Sequence, residues 1–204
     1  EKWRRRGEGA EETLSTLYAL RASDGTVHWQ RQAAFPHHLY GPGAWTSIRS
    51  RDDWVAIAEA SELVLWGKEG RAEAVHLADG GPVWNIAQGA LQPLILTPDR
   101  IYNQNGQSWS IEDGSPLDMT SRFSRGGCNY GVAGAHLAFI RDYSASWVNL
   151  ATGDRQLVRN LRSGCSASLV AADGILSAPD FSPGCTCNYP IQVCSAWVHS
   201  PESG

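Results

Sequence analysis

The chain has no run of about 18 apolar residues, the minimum length for a helix that crosses a membrane, so no such helix is expected. It has no signal peptide at its start and no Asn-x-Ser/Thr sequon, and neither absence decides the compartment. Charge is also scarce. Only 19% of residues are charged and the net charge is −4, so no basic field invites nucleic acid. The one basic cluster, Lys2-Trp3-Arg4-Arg5-Arg6, reads as a solvated strand edge, where cations discourage edge-to-edge pairing, in preference to a small anion patch. Helical periodicity is nearly missing. The best stretch, residues 52–66, starts helix-like and turns into Glu62-Leu63-Val64-Leu65-Trp66, so strands are expected for most of it.

The chemistry-bearing motifs are missing as well. Cys-x-x-Cys-His, which anchors a c-type haem, does not occur, and neither does the Cys-x-x-Cys of a thioredoxin-like pair. There is no Gly-x-Ser-x-Gly elbow, and the Gly-Pro-Gly and Arg-Gly-Gly stretches read as turns, not phosphate loops.

What the chain does have is glycine and tryptophan, 21 and 9 residues. They fall into a pattern. An apolar strand leads to Asp24-Gly25, and Trp29 follows four residues after the glycine. Asp79-Gly80 with Trp84 repeats this spacing. Asp113-Gly114 and Thr152-Gly153 continue it, with Asp118 and Leu157 in the tryptophan position. Each turn is preceded by a further strand, within 61–70, 99–106 and 134–142 for the last three. Residues 171–180 begin a fifth unit. Strands recurring at a period near 40 residues are the sequence signature of a β-propeller. The physical expectation is a tight hairpin at each Gly25, Gly80, Gly114 and Gly153, because glycine accepts φ > 0. Leu17 and Ala19 would pack one face and Tyr18 and Leu20 the other, both faces meeting neighbouring blades. Trp29 and Trp84 would then cover the joins between blades.

The pattern resembles the PQQ-like propeller repeat, Ala-x-Asp-x-x-Thr-Gly-x-x-x-Trp. Ala19, Gly25 and Trp29 match it, Arg21 and Asp24 replace its Asp and Thr, and the second unit matches mainly at Gly80 and Trp84. The segment around Arg-Gly-Gly-Cys128, Arg-Ser-Gly-Cys165 and Gly-Cys185-Thr-Cys187 is similar to the C-terminal region of bacterial PQQ-like propellers. The resemblance implies an all-β propeller of about five four-stranded units in a single domain, 1–204. Such propellers usually have seven or eight blades, so the chain is expected to be the C-terminal portion of a larger ring. Trp3 would belong to an earlier repeat, and a small five-bladed ring is the rival. The lipoprotein-type members are assembly scaffolds. The resemblance therefore implies a non-enzymatic module, periplasmic or extracellular, that binds another protein or the rest of the propeller. The quinoprotein members imply the alternative, an oxidoreductase fragment with PQQ and calcium. They carry a Cys-Cys dipeptide that this chain lacks. A weaker alternative is an extracellular structural subunit.

Five cysteines leave one over. Cys128, Cys165, Cys185 and Cys187 are expected to form disulfides that staple the C-terminal blade, about 122–204, in an oxidising compartment. Their connectivity stays open, and structural zinc is the alternative. Cys194 would be unpaired, either buried and free or available to a partner chain. No catalytic or metal residue is assigned and no cofactor is expected. Glu59, Asp99 and Asp142 read as turn or surface residues. His37-His38 reads as part of a Pro- and Gly-rich loop that packs on Tyr40 or Trp45.

Overall fold

A computed structural model describes residues 12–13, 16–33, 37–38, 54–68, 70–90, 93–118, 126, 129–159, 161–164, 168–180 and 193–198. The chain forms two compact units, Glu1–Ala90 and Leu91–Gly204.

In the first unit, β1 (Glu12–Thr13) pairs with β4 (His37–His38), and β2 (Thr16–Leu20) pairs with β3 (Val27–Gln32). A four-stranded antiparallel sheet follows. It runs β5 (Trp54–Ala58), a 3₁₀ turn (Glu59–Ser61), β6 (Leu63–Lys68), β7 (Gly70–His76) and β8 (Pro82–Ala90), each strand beside the next. The helix-like start of 52–66 therefore resolves into two strands around a 3₁₀ turn. Exposure alternates residue by residue over Trp54–Ala58, and residues 63–67 are buried throughout, as suits strands with one and both faces covered. His37-His38 is a strand and not a loop, and its backbone pairs with Glu12 and Thr13.

The second unit holds two more four-stranded meanders. The first is β9 (Ile95–Leu96), β10 (Arg100–Tyr102), β11 (Ser108–Ser110) and β12 (Pro116–Leu117). The next is β13 (Val132–Ala133), β14 (Leu137–Asp142), β15 (Ser144–Asn149) and β16 (Arg155–Val158). Three described strands close the list: β17 (Val170–Ala172), β18 (Ile175–Ala178) and β19 (Ser195–Val198).

Four turns share one construction. Arg21, His76, Ser110 and Asn149 each donate the backbone N–H to the carbonyl five residues on, at 2.8 Å. Each also accepts from the glycine N–H four residues on, at 2.8–3.0 Å. These are hairpins with four-residue loops, longer than the expected tight turn. The glycine sits in the left-handed region, for example φ +73° at Gly25 and +72° at Gly80. The preceding side chain locks three of the loops. Asp24, Asp79 and Asp113 Oδ1 each accept the N–H two residues on, at 2.8–3.0 Å. At the fourth, the Asn149 Oδ1 accepts from Ala151 N–H at 2.9 Å. Asp173-Gly174 is different. Both residues have positive φ, 51° and 75°, and join Ala172 to the opposing Ile175 in a true two-residue hairpin.

The core lies between successive sheets within each unit. In the first, Trp29 packs with Val64 and Val75, flanked by Leu17 and Ala19, and Trp66 packs with Ala33 and Leu17. In the second, Ile95 and Tyr102 pack on Ala138, Ile140, Val148 and Leu150. Phe139 and Ala145 pack with Leu161, Leu169 and Ala178 on the opposite face.

Candidate functional site

Trp29 shows how one sheet is fastened to the next. Its indole N–H donates to the Leu77 carbonyl at 2.9 Å. Its ring lies over Gly80, where an added Cβ would stand 2.7 Å from Trp29 Cε3. Gly80 thus serves twice, once for its positive φ and once for the room it leaves to the ring.

A β-bulge aims the ring. Leu20 opposes Val27, but Ala19 opposes Trp29, so His28 is an extra residue in β3. In the second sheet Val75 opposes Pro82 and Ala74 opposes Trp84, which leaves Val83 extra. Without the extra residue the tryptophan would fall on the other face of its sheet, because side chains alternate. With it, Trp29 shares the face of Leu17 and Ala19. The strands that lack tryptophan in this position pair without the shift, Trp109 opposing Pro116 and Trp147 opposing Gln156. There Leu157 lands opposite Ser146 and is exposed.

One turn of side chains away, Arg31 on β3 pairs with Glu73 on β7, with Arg31 Nε donating to Glu73 Oε1 at 2.8 Å. Glu73 is almost fully buried. In the second unit Gln104 makes a similar link. Its amide donates to the Pro93 carbonyl at 2.7 Å and its oxygen accepts the Gly131 N–H at 2.7 Å. Sequence reasoning missed both. The available signal was a charged residue amid a buried strand, Ala72-Glu73-Ala74-Val75, with Arg31 two residues after the docking tryptophan.

Two of the three acids named from the sequence are paired with arginine. Arg155 pairs with Asp142. Asp99 accepts from Arg100 Nε at 3.1 Å. Partial burial would raise the Asp99 carboxyl, but the Arg100 hydrogen bond and charge outweigh it and hold it below its ordinary value. Glu59 sits in the exposed 3₁₀ turn. Among the described residues no three His, Cys, Asp or Glu side chains are grouped as a metal site. Among the described residues no helix is long and apolar enough to cross a membrane. Cys128, Cys165, Cys185 and Cys187 lie outside the described residues, as do Trp3 and the basic cluster. Cys194 is exposed with a free thiol, and its sulfur accepts the Asp180 N–H at 3.3 Å.

The open feature is apolar sheet surface. Tyr18 and Leu20, expected to be packed, are exposed together with Val27, which opposes Leu20 and shares its face. Leu17 and Ala19 do pack, because the second sheet covers them; no described element covers the other side. At the last sheet, Ile175 opposes Val198 and Val170 opposes Ser177, so all three apolar side chains share a face, and all are exposed. Leu176, on the alternate face, packs inward.

No protein-family model matches the chain, and no curated protein matches it in sequence. Solved structures do match in fold. BamB from Moraxella catarrhalis aligns with a TM-score of 0.51 at 15% identity, over 85% of this chain and 59% of that one. The computationally designed Ika8 protein aligns with a TM-score of 0.51 at 13% identity, over 93% of this chain and 56% of that one. The chain therefore spans less than two thirds of the length of either structure. Its successive four-stranded antiparallel meanders, with these fold neighbours, make it a partial β-propeller.

Proposed function

We propose that the chain is a section of a larger, non-enzymatic β-propeller of the PQQ-like kind, which serves as a binding scaffold for another protein or subunit outside the cytoplasm. One observation carries the reading. The β2–β3 and β17–β19 sheets each leave an apolar face exposed, Tyr18, Leu20 and Val27 at one and Val170, Ile175 and Val198 at the other. Contiguous exposed apolar surface of this kind marks interaction sites on soluble proteins. An open stack of blades presents such faces until a further blade or a partner covers them. The fold likeness to a BamB and to designed propellers that are longer than this chain supports the same reading. Placement outside the cytoplasm rests on the cysteine pattern and on that likeness.

The test is photocrosslinking in the cell of origin. A benzophenone amino acid at position 20 or 198 should give a discrete adduct with another polypeptide. The same probe at Glu112, on an exposed turn, should give none. Folded protein that yields no adduct from either apolar face refutes the scaffold reading.

A further inference from the structure

Three described arginines each meet a carboxylate: Arg31 pairs with Glu73, Arg100 with Asp99 and Arg155 with Asp142. Arg141 pairs with none among the described residues, although it is the most deeply buried of the four. It lies near the end of β14, opposite Ala145 on β15. Two residues after Phe139, it shares the face on which Phe139 packs with Ala145, Leu161, Leu169 and Ala178. Only 4% of its surface is exposed. Its Nε and Nη1 are shut off from solvent, and no hydrogen-bond acceptor meets either. A guanidinium keeps its charge inside a protein. The two nitrogens lie on different edges of the planar group, so an acceptor is missing from each edge. A buried charge without a partner is among the costliest features a fold can carry.

The acids of this unit do not answer the charge. The next residue, Asp142, falls on the other face by alternation and is taken by Arg155. Asp99 is taken by Arg100. Glu112, Asp113, Asp118, Asp154 and Asp173 are exposed. Asp180 follows Ala178 by two residues but forms no ion pair with Arg141 among the described residues. The undescribed residues between 119 and 192 contain no Asp or Glu at all and add two cations, Arg122 and Arg125. Glu202 is the one undescribed acid of the unit Leu91–Gly204. Arg141 also differs from the open sheet faces in that it is already covered. What answers its charge must therefore be small, since no further sheet or strand has room to reach it.

We propose that Arg141 is the anchor of a binding site for a small oxyanion, a phosphate or carboxylate group, at the end of β14 in the second unit. This inference does not depend on the scaffold reading. An oxyanion supplies both things that are missing, a counter-charge and several acceptors in the planar spacing that a guanidinium matches. Water supplies acceptors and leaves the charge unanswered.

The test uses the whole chain, dialysed into chloride buffer, with inorganic phosphate and acetate as separate probes at constant ionic strength. Isothermal titration calorimetry should show saturable binding of at least one probe, and the tighter of the two identifies the source of the oxyanion. Arg141→Met should weaken it at least tenfold. Arg141→Lys, which keeps the charge and loses the planar fork, should weaken it as well. The Met variant removes an unpaired buried charge and replaces it with an apolar side chain, so in chloride it should melt no lower than the wild type. The bound probe should raise the Tm of the wild type and not that of Arg141→Met, whereas general salt exclusion would raise both alike. Asp180→Asn and Glu202→Gln should leave the binding unchanged. Folded wild-type protein that binds neither probe, or that binds no better than Arg141→Met, overturns the proposal. So does a clear loss of Tm on Arg141→Met in chloride, which would mean that the guanidinium already has its partner. Binding that appears only in Asp180→Asn or Glu202→Gln would make that carboxylate the occupant and would overturn it too.

Discussion

Gly25 and Gly80 form a natural experiment. Both sit at the same position of the same six-residue turn, at φ +73° and +72°. A methyl group at either carries the left-handed penalty of about 1–2 kcal/mol. Their surroundings differ. A Cβ at Gly25 meets nothing within 4 Å, whereas at Gly80 it meets Trp29 Cε3 at 2.7 Å and Cδ2 at 2.9 Å. The ring has little room to yield, because Val64 and Val75 pack on it and its N–H is held by Leu77. Overpacking of this kind costs about 1–3 kcal/mol. Part of that would be the indole hydrogen bond, worth about 0.5–1.5 kcal/mol net. Gly80→Ala should therefore cost about 1–3 kcal/mol more than Gly25→Ala in urea unfolding followed by far-ultraviolet circular dichroism. The same pair in a Trp29→Ala background should lose that difference, since the obstruction is gone. Equal costs in the wild-type background, within the roughly 0.5 kcal/mol scatter of independent sites, would refute the docking argument.

Two further outcomes follow from the same geometry. The Thr26 and Ser115 backbone N–H groups hold the Asp24 and Asp113 carboxyls below their ordinary value of 3.8, with the hydroxyls of the same residues adding to it. The unfolded chain then binds more protons between the lowered and ordinary values. The stabilisation is complete above the ordinary value and is lost as pH falls through the lowered one. Asp24→Asn/Asp113→Asn should flatten the acid limb of a Tm–pH profile, and an unchanged limb would contradict the assignment. Arg31→Met should leave the buried Glu73 carboxylate without its partner and cost about 3–5 kcal/mol, the usual result of breaking a buried pair from one side. Arg31→Met/Glu73→Leu should recover most of that loss in the same urea assay.

The repeat was legible because its cause is local. An Asp-Gly or Thr-Gly step at a fixed place in a strand pair needs a residue that tolerates φ > 0, and the sequence displays that residue openly at Gly25, Gly80, Gly114 and Gly153. The all-β character could be read because the strands recur between those turns. The turn type was not legible, because Asp24-Gly25 and Asp173-Gly174 are the same dipeptide in two different hairpins. Only the left-handed backbone of Asp173 separates them, and strand pairing on either side sets it. Residue spacing likewise gave Trp29 its place after the turn, but the bulge at His28 decides which face it occupies. Alternation put Leu17 and Ala19 on the opposite face from Tyr18 and Leu20 and led both faces to be expected as packed, whereas only the first pair is covered. Burial belongs to the neighbour and not to the strand. A two-residue period says which side chains share a face; only the sheet stacked on that face decides whether they become core, as at Val64 and Val75, or remain open, as at Val55 and Ile57.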